Sequence, residues 1–291
     1  MRVLITGATG LVGKEIVRLC HNRNISVNYL TTSKSKLKTE ANYNGFYWNP
    51  SIQEIDAKCF EGVDAIIHLA GATVSKRWTP VYKKKILESR KVSTELLINA
   101  LKGETHNIKQ VISASAIGVY PNSLINYYDE SFNDVSESFL GEVVKIWEST
   151  VDGFSKLGIT VAKVRIGLVL SKQGGALQEI IKPIKYGLGA AFGSGKQWQS
   201  WIHIQDISNI FCHILKNDLG RKPYNYKENI LLNILSEAIV ANVSFDEELT
   251  EKFIKSKMDA ISYTKGKVFK DELIILKGDI VEGEQLAILN S

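Results

Sequence analysis

Cysteine is scarce: there are three in 291 residues, and Cys20, Cys59 and Cys212 stand far apart. No Cys-x-x-Cys pair occurs, so neither a disulfide framework nor a cysteine zinc site is indicated. Long apolar runs are missing too, and nothing approaches the roughly 18 residues that a membrane span needs. The first residues lack the charged, apolar and small-residue succession of a secretory signal. These absences predict a cytoplasmic chain with reduced thiols and no membrane partner. Lysine and arginine form no run interleaved with aromatic residues, and a net charge of +5 is modest for 32.4 kDa. No nucleic-acid partner is expected. A hydrophobic content of 44% is enough for one large α/β domain, or for one domain with an appendage.

What is present begins at the N-terminus. Arg2 to Ile5 is the short apolar run of a buried parallel strand, and Thr6-Gly-Ala-Thr-Gly-Leu-Val-Gly13 places glycines at 7, 10 and 13 ahead of a helically spaced segment. Gly7 permits a tight turn, Gly10 a close backbone approach to a pyrophosphate, and Gly13 close packing of helix on strand. The helix N-terminus then faces the phosphates. A second strand is expected over Ser26–Leu30, ending in Thr31-Thr32-Ser-Lys34-Ser-Lys36. An Asp or Glu at that end would hold the ribose hydroxyls and repel a 2′-phosphate. Neither is there, so NADP suits the site better than NAD; a solvated polar loop is the other reading of the lysines.

Further on, residues 37–62 read as irregular, and Asp64–Gly71 as a strand ending in a small-residue turn, with Leu69, Ala70 and Gly71 bordering the adenosine half and His68 structural. A lysine-rich helix is expected over 79–102, from which Arg90 could reach the phosphates. Then follow the strand Gln110–Ser115, a helix beginning at Phe139, a single strand Thr160–Leu170 and a glycine-rich stretch leading to Trp198, Trp201 and His203. With Trp78, these could line a substrate pocket. Strands alternating with helices argue for a doubly wound parallel sheet.

Thr6–Gly13, His68–Gly71, Lys76-Arg-Trp-Thr-Pro80, Ser89-Arg90, Ser113-Ala-Ser115, Arg165–Leu170, Gly193-Ser-Gly195 and Trp201-Ile-His-Ile204 together resemble the extended short-chain dehydrogenase/reductase superfamily. Within it, the chain is similar to the atypical group of epimerase family proteins akin to nucleoside-diphosphate-sugar epimerases. The resemblance spans residues 1 to about 226. It implies a Rossmann-like sheet with a small C-terminal substrate lobe, and NADP held by Gly7, Thr9, Gly10, Leu11, Val12, Gly13, Thr31, Thr32, Leu69, Ala70, Gly71, Arg90 and Leu168. It also implies a small-molecule substrate near Trp201 and His203, and leaves a homodimer open. The superfamily's acid/base pair, Tyr-x-x-x-Lys, is absent: Phe139 and Val143 stand at its positions. Three residues could compensate: Ser115, at the substrate-orienting serine's position, Tyr120, and Lys145. A reductase or epimerase is one expectation, and a catalytically silent NADP-binding sensor or scaffold the other.

The tail departs from this pattern. Residues 231–291 hold 11 acidic and 7 basic residues, a net charge of −4 against +9 for the rest. Residues 227–291 are therefore expected to form a divergent segment. Parts of it, Ser244–Phe253 and Lys267–Val281, resemble the extracytoplasmic region of multi-pass HD-type phosphohydrolases, from which no activity is transferred.

Overall fold

A computed structural model describes residues 1–126, 128–130, 132–186 and 199–217. The tail, its likeness to phosphohydrolases and the expected boundary after Tyr226 lie outside the described residues, as does Trp198. The chain divides into two compact units. Among the described residues, the first comprises 1–121, 134–166 and 207–217, and the second 122–133 and 167–206.

The first unit is built on parallel strands: β1 (Arg2–Thr6), β2 (Ser26–Thr31), β3 (Tyr43–Asn49), β4 (Ala65–His68), β5 (Gln110–Ala116) and β6 (Thr160–Ile166). Their order in the sheet is 3-2-1-4-5-6. The two-residue strands Thr39–Glu40 and Glu54–Ile55 flank β3 antiparallel. This is the Rossmann order, in which the chain reverses direction across the sheet between β1 and β4 and ligands lie beyond the carboxyl ends of those strands. The expected fold class is therefore present. Val3, Leu4, Ile5, Ile66, Ile67, Val111 and Ile112 are fully buried, which is why these strands read as apolar runs rather than alternating ones.

Two expectations are corrected. Residues 37–62 are not irregular, because β3 forms there. Its Tyr43, Phe46, Tyr47 and Trp48 favour a pleated surface, and Tyr43 stacks on Tyr29 of β2 with centroids 4.3 Å apart. The strand expected over 160–170 is two: β6 ends at Ile166, and β7 (Leu168–Ser171) belongs to a small sheet of the second unit, beside β8 (Trp201–His203). Gly167 makes the break, since a Cβ there would lie 2.4 Å from the Ser200 carbonyl oxygen.

Helices α1 (Leu11–Asn22), α2 (Pro80–Lys102) and α3 (Phe139–Val151) follow β1, β4 and β5; α4 (Ala176–Lys185) and α5 (Ile204–Asn217) come later. Thr79 caps α2 by accepting from the Tyr82 amide, with Pro80 opening the helix, and Ser138 caps α3 by accepting from Gly141. No described helix is long and apolar enough to cross a membrane.

One buried hydrogen-bond chain ties β1, β4 and α2 together. Thr94 Oγ1 donates to the Arg90 carbonyl at 2.7 Å, so it accepts from His68 Nε2 at 3.0 Å. His68 Nδ1 then accepts from Thr6 Oγ1 at 2.8 Å. The Thr6 oxygen keeps its lone pairs for the amides of Leu69 and Ala70, each at 3.0 Å. His68 is thus structural and neutral: burial, with the Arg90 charge adding to it, pushes it down to about 4.

The stability that depends on neutral His68 is complete above the unfolded imidazole's pKa of about 6.5 and is lost as pH falls toward 4, because the unfolded chain takes up the proton first. Urea unfolding at pH 7 and pH 4.5 should show an acid loss about 2 to 3 kcal/mol larger in the wild type than in His68→Gln. Equal losses in both proteins would contradict this account.

Candidate functional site

Two turns meet at the reversal of the sheet. After β1, Gly7 adopts φ +72°, and a Cβ on it would come within 3.2 Å of the Leu69 backbone. Gly13 is tighter still, since a Cβ there would sit 2.2 Å from the Gly7 oxygen. Gly10 is the N-cap of α1, and its amide donates to Gly7 at 2.9 Å. No side chain caps this helix, unlike α2 and α3 with their Thr79 and Ser138 caps, and no acid lies in its first turn. The positive end of α1, with the amides of Leu11 and Val12, is left without a side-chain cap. After β4, the second turn carries Leu69, Ala70 and Gly71, set by the Thr6 hydroxyl. An anion of pyrophosphate size fits such a surface.

Arg90, expected to reach the phosphates, is tied to the turn after β4. Its Nη1 donates to the carbonyls of Ala72 and Ile86 at 3.2 and 3.0 Å, and its guanidinium lies 5.0 Å from the Trp147 ring centroid. Burial lowers its pKa. It clamps the turn after Gly71, where a Cβ would meet its Cζ at 3.1 Å. At the end of β2, Thr31 is buried and accepts from the Ser33 amide, while Thr32 is exposed. Lys34 Nζ stands 5.1 Å over the Tyr47 ring of β3. Tyr29 holds this loop by donating to the Lys36 carbonyl at 2.7 Å and accepting from the Lys38 amide at 2.9 Å.

Ser115 and Tyr120 are joined through two residues the sequence did not single out. Ser115 Oγ donates to Glu148 Oε1 at 2.5 Å, Arg165 Nε and Nη2 hold the two Glu148 oxygens at 3.0 Å each, and Arg165 Nη1 donates to the Tyr120 oxygen at 2.9 Å. Burial would raise the Glu148 carboxyl, but hydrogen bonds from Arg165 and Ser115 outweigh it and hold the group below its usual range. The Glu148 hydrogen bond likewise raises Arg165 against burial, with Tyr120 adding to it. At the positions of the superfamily pair, Phe139 meets Trp78 edge-on at 5.5 Å with Lys83 Nζ 5.0 Å from its ring, and Val143 is buried. Lys145 is exposed. The second unit holds Leu168, Trp201 and His203 together: Trp201 pairs with Leu168 and His203 with Leu170 across β8 and β7. Among the described residues, no cluster of His, Cys, Asp or Glu could hold a metal.

A six-stranded parallel sheet with a glycine turn at its reversal defines a Rossmann-type protein of the dinucleotide-binding class. Residues 3–227 match the NAD dependent epimerase/dehydratase family, and the chain belongs to that family. It is similar to the epimerase family protein SH2119 of Staphylococcus haemolyticus, with 36% identity over 226 residues, covering 76% of this chain and 73% of that protein. Among solved structures it is similar to the human epimerase family protein SDR39U1 (isoform 2) with NADPH, at 28% identity and TM-score 0.62 over 75% of this chain and 71% of that one. The fold is also that of the Bacillus cereus UDP-glucuronic acid 4-epimerase in complex with UDP-glucuronic acid and NAD, with TM-score 0.63, 19% identity and coverage of 76% and 74%.

The packing of the turn has a direct consequence. Gly13→Ala should destabilise the protein by about 1 to 3 kcal/mol through overpacking against the Gly7 oxygen. Gly103→Ala, whose Cβ would have 3.7 Å of room, should cost far less. Chemical denaturation of the two variants checks this, and equal stabilities would contradict it.

Proposed function

We propose that this chain is an NADP(H)-binding reductase or epimerase acting on a small carbonyl or hydroxyl substrate, with nucleotide sugars as the leading class. The open glycine turn carries the reading: Gly7, Thr9, Gly10, Leu11, Val12 and Gly13 would take the pyrophosphate, and Leu69, Ala70 and Gly71 would border the adenosine half. Thr31, Thr32 and Lys34 would receive a 2′-phosphate, and the lack of any acid from Thr31 to Lys36 supports NADP over NAD. By the family resemblance, Leu168 is assigned to cofactor binding and Trp201 and His203 to the substrate. When bound, the dinucleotide supplies or accepts a hydride. Tyr120 exchanges a proton with the substrate oxygen, and Ser115 orients that oxygen. Free buried thiols at Cys20, Cys59 and Cys212 support a reducing, cytoplasmic setting.

A second reading has a specific observation in its favour. Phe139 and Val143 can neither give nor take a proton, which suits a catalytically silent NADP-binding sensor or scaffold. Titration with NADPH and NADH, followed by nicotinamide fluorescence and thermal shift, tests the part common to both readings. NADPH should bind about tenfold or more tighter than NADH, and Lys34→Ala should narrow that gap severalfold. Equal affinities would remove the NADP assignment, and no binding would remove both readings. Loss of turnover in Tyr120→Phe with unchanged NADPH affinity favours the enzyme; binding without turnover on any carbonyl or alcohol favours the sensor.

A further inference from the structure

Arg165 lies next to the carboxyl end of β6 and Glu148 on α3, and neither belongs to the dinucleotide turn. A half-buried ion pair is a weak source of stability, because desolvation offsets much of the attraction. Its geometry is informative instead. The donors converge on Glu148 and extend to Tyr120: Ser115 gives to Glu148, and Arg165 gives to Glu148 with two nitrogens and to Tyr120 with a third. The guanidinium also lies 5.2 Å from the Tyr120 ring centroid. A planar fork can hold a carboxylate bidentately and still present a nitrogen to a phenol, which a lysine ammonium cannot do in the same geometry.

We propose that Arg165 replaces the cation missing from α3: it sets Tyr120 as the acid/base group, and Glu148 fixes both Arg165 and the substrate-orienting hydroxyl of Ser115. This rests on the reading of Tyr120 given above. A guanidinium donating to a phenol oxygen stabilises negative charge there, which is what an acid needs at the moment it gives up its proton. The step is a proton transfer: the Tyr120 O–H bond breaks, an O–H bond forms on the substrate oxygen, and the phenolate rests against Arg165 until water returns the proton. The reverse direction takes the proton from a substrate hydroxyl. Arg165 and Glu148 are positioning residues, since neither exchanges the proton.

The test reads Tyr120 itself and needs neither substrate nor cofactor. The charged groups bearing on the chain are Arg165 and Lys163 on β6 and Glu148 on α3. Near-ultraviolet absorbance of tyrosinate is followed against pH in the full chain, and subtraction of the Tyr120→Phe titration isolates one phenol from the chain's 11 tyrosines. That phenol should ionise about one pH unit or more ahead of an ordinary tyrosine. The advance should vanish in the double variant Arg165→Met/Glu148→Gln, which removes both charges together and leaves neither partner buried alone. Arg165→Lys should restore part of it. Tyr120 ionising with the bulk of the tyrosines, or keeping its advance in the folded double variant, would overturn the proposal. Neither result depends on whether NADPH binds, so failure here is separable from failure of the functional reading.

Discussion

The Thr6 hydroxyl is the point on which the rest of the site depends. One oxygen accepts from the amides of Leu69 and Ala70 and donates to His68, fixing the end of β1 to the end of β4 where the sheet reverses. Because these groups are buried, leaving any one unpaired costs on the order of 1 to 3 kcal/mol, far more than a formed bond contributes. The glycine turn and the Leu69 turn are thus held at one spacing. Gly7 and Gly13 then let the backbone close up where any side chain would collide with it.

A second tie uses charge instead of neutral hydroxyls. Glu148 and Arg165 join α3 to β6 and reach Ser115 and Tyr120 at the carboxyl side of β5. The helix that would bring a tyrosine and a lysine to the substrate brings Phe139 and Val143. It also brings Glu148, nine residues beyond Phe139. Under the proposed reading, an apolar substitution at one end of α3 and a paired carboxylate further along it belong together: the proton-handling group would be in the loop after β5, with its cation supplied from the neighbouring strand.

Much of this was legible in the sequence where the cause was local. The run before Gly7, the glycine spacing and the polar end of β2 each follow from residues within a few positions, and the parallel sheet and the structural role of His68 followed from them. What was missed depended on distant residues. β3 was hidden because its pairing with β2 is decided by Tyr29, 14 residues before Tyr43. The break at Gly167 depends on the approach of Ser200. Sequence also cannot show that the Ala72 and Ile86 carbonyls take the Nη1 of Arg90. The Glu148–Arg165 pair spans 17 residues and two elements, yet a trace was present: an arginine in a strand of mostly apolar residues, and a glutamate beside Trp147 on the buried side of α3. A buried charge asks for a partner, and each was the other's.

The central claim is that a dinucleotide lies across the two turns that Thr6 holds together. The most direct measurement is the movement of backbone amide resonances as NADPH is added to isotopically labelled protein. The account predicts that Gly10, Leu11, Val12, Leu69 and Ala70 shift together along a single binding curve. Binding that moves other amides while these five stay in place would contradict it.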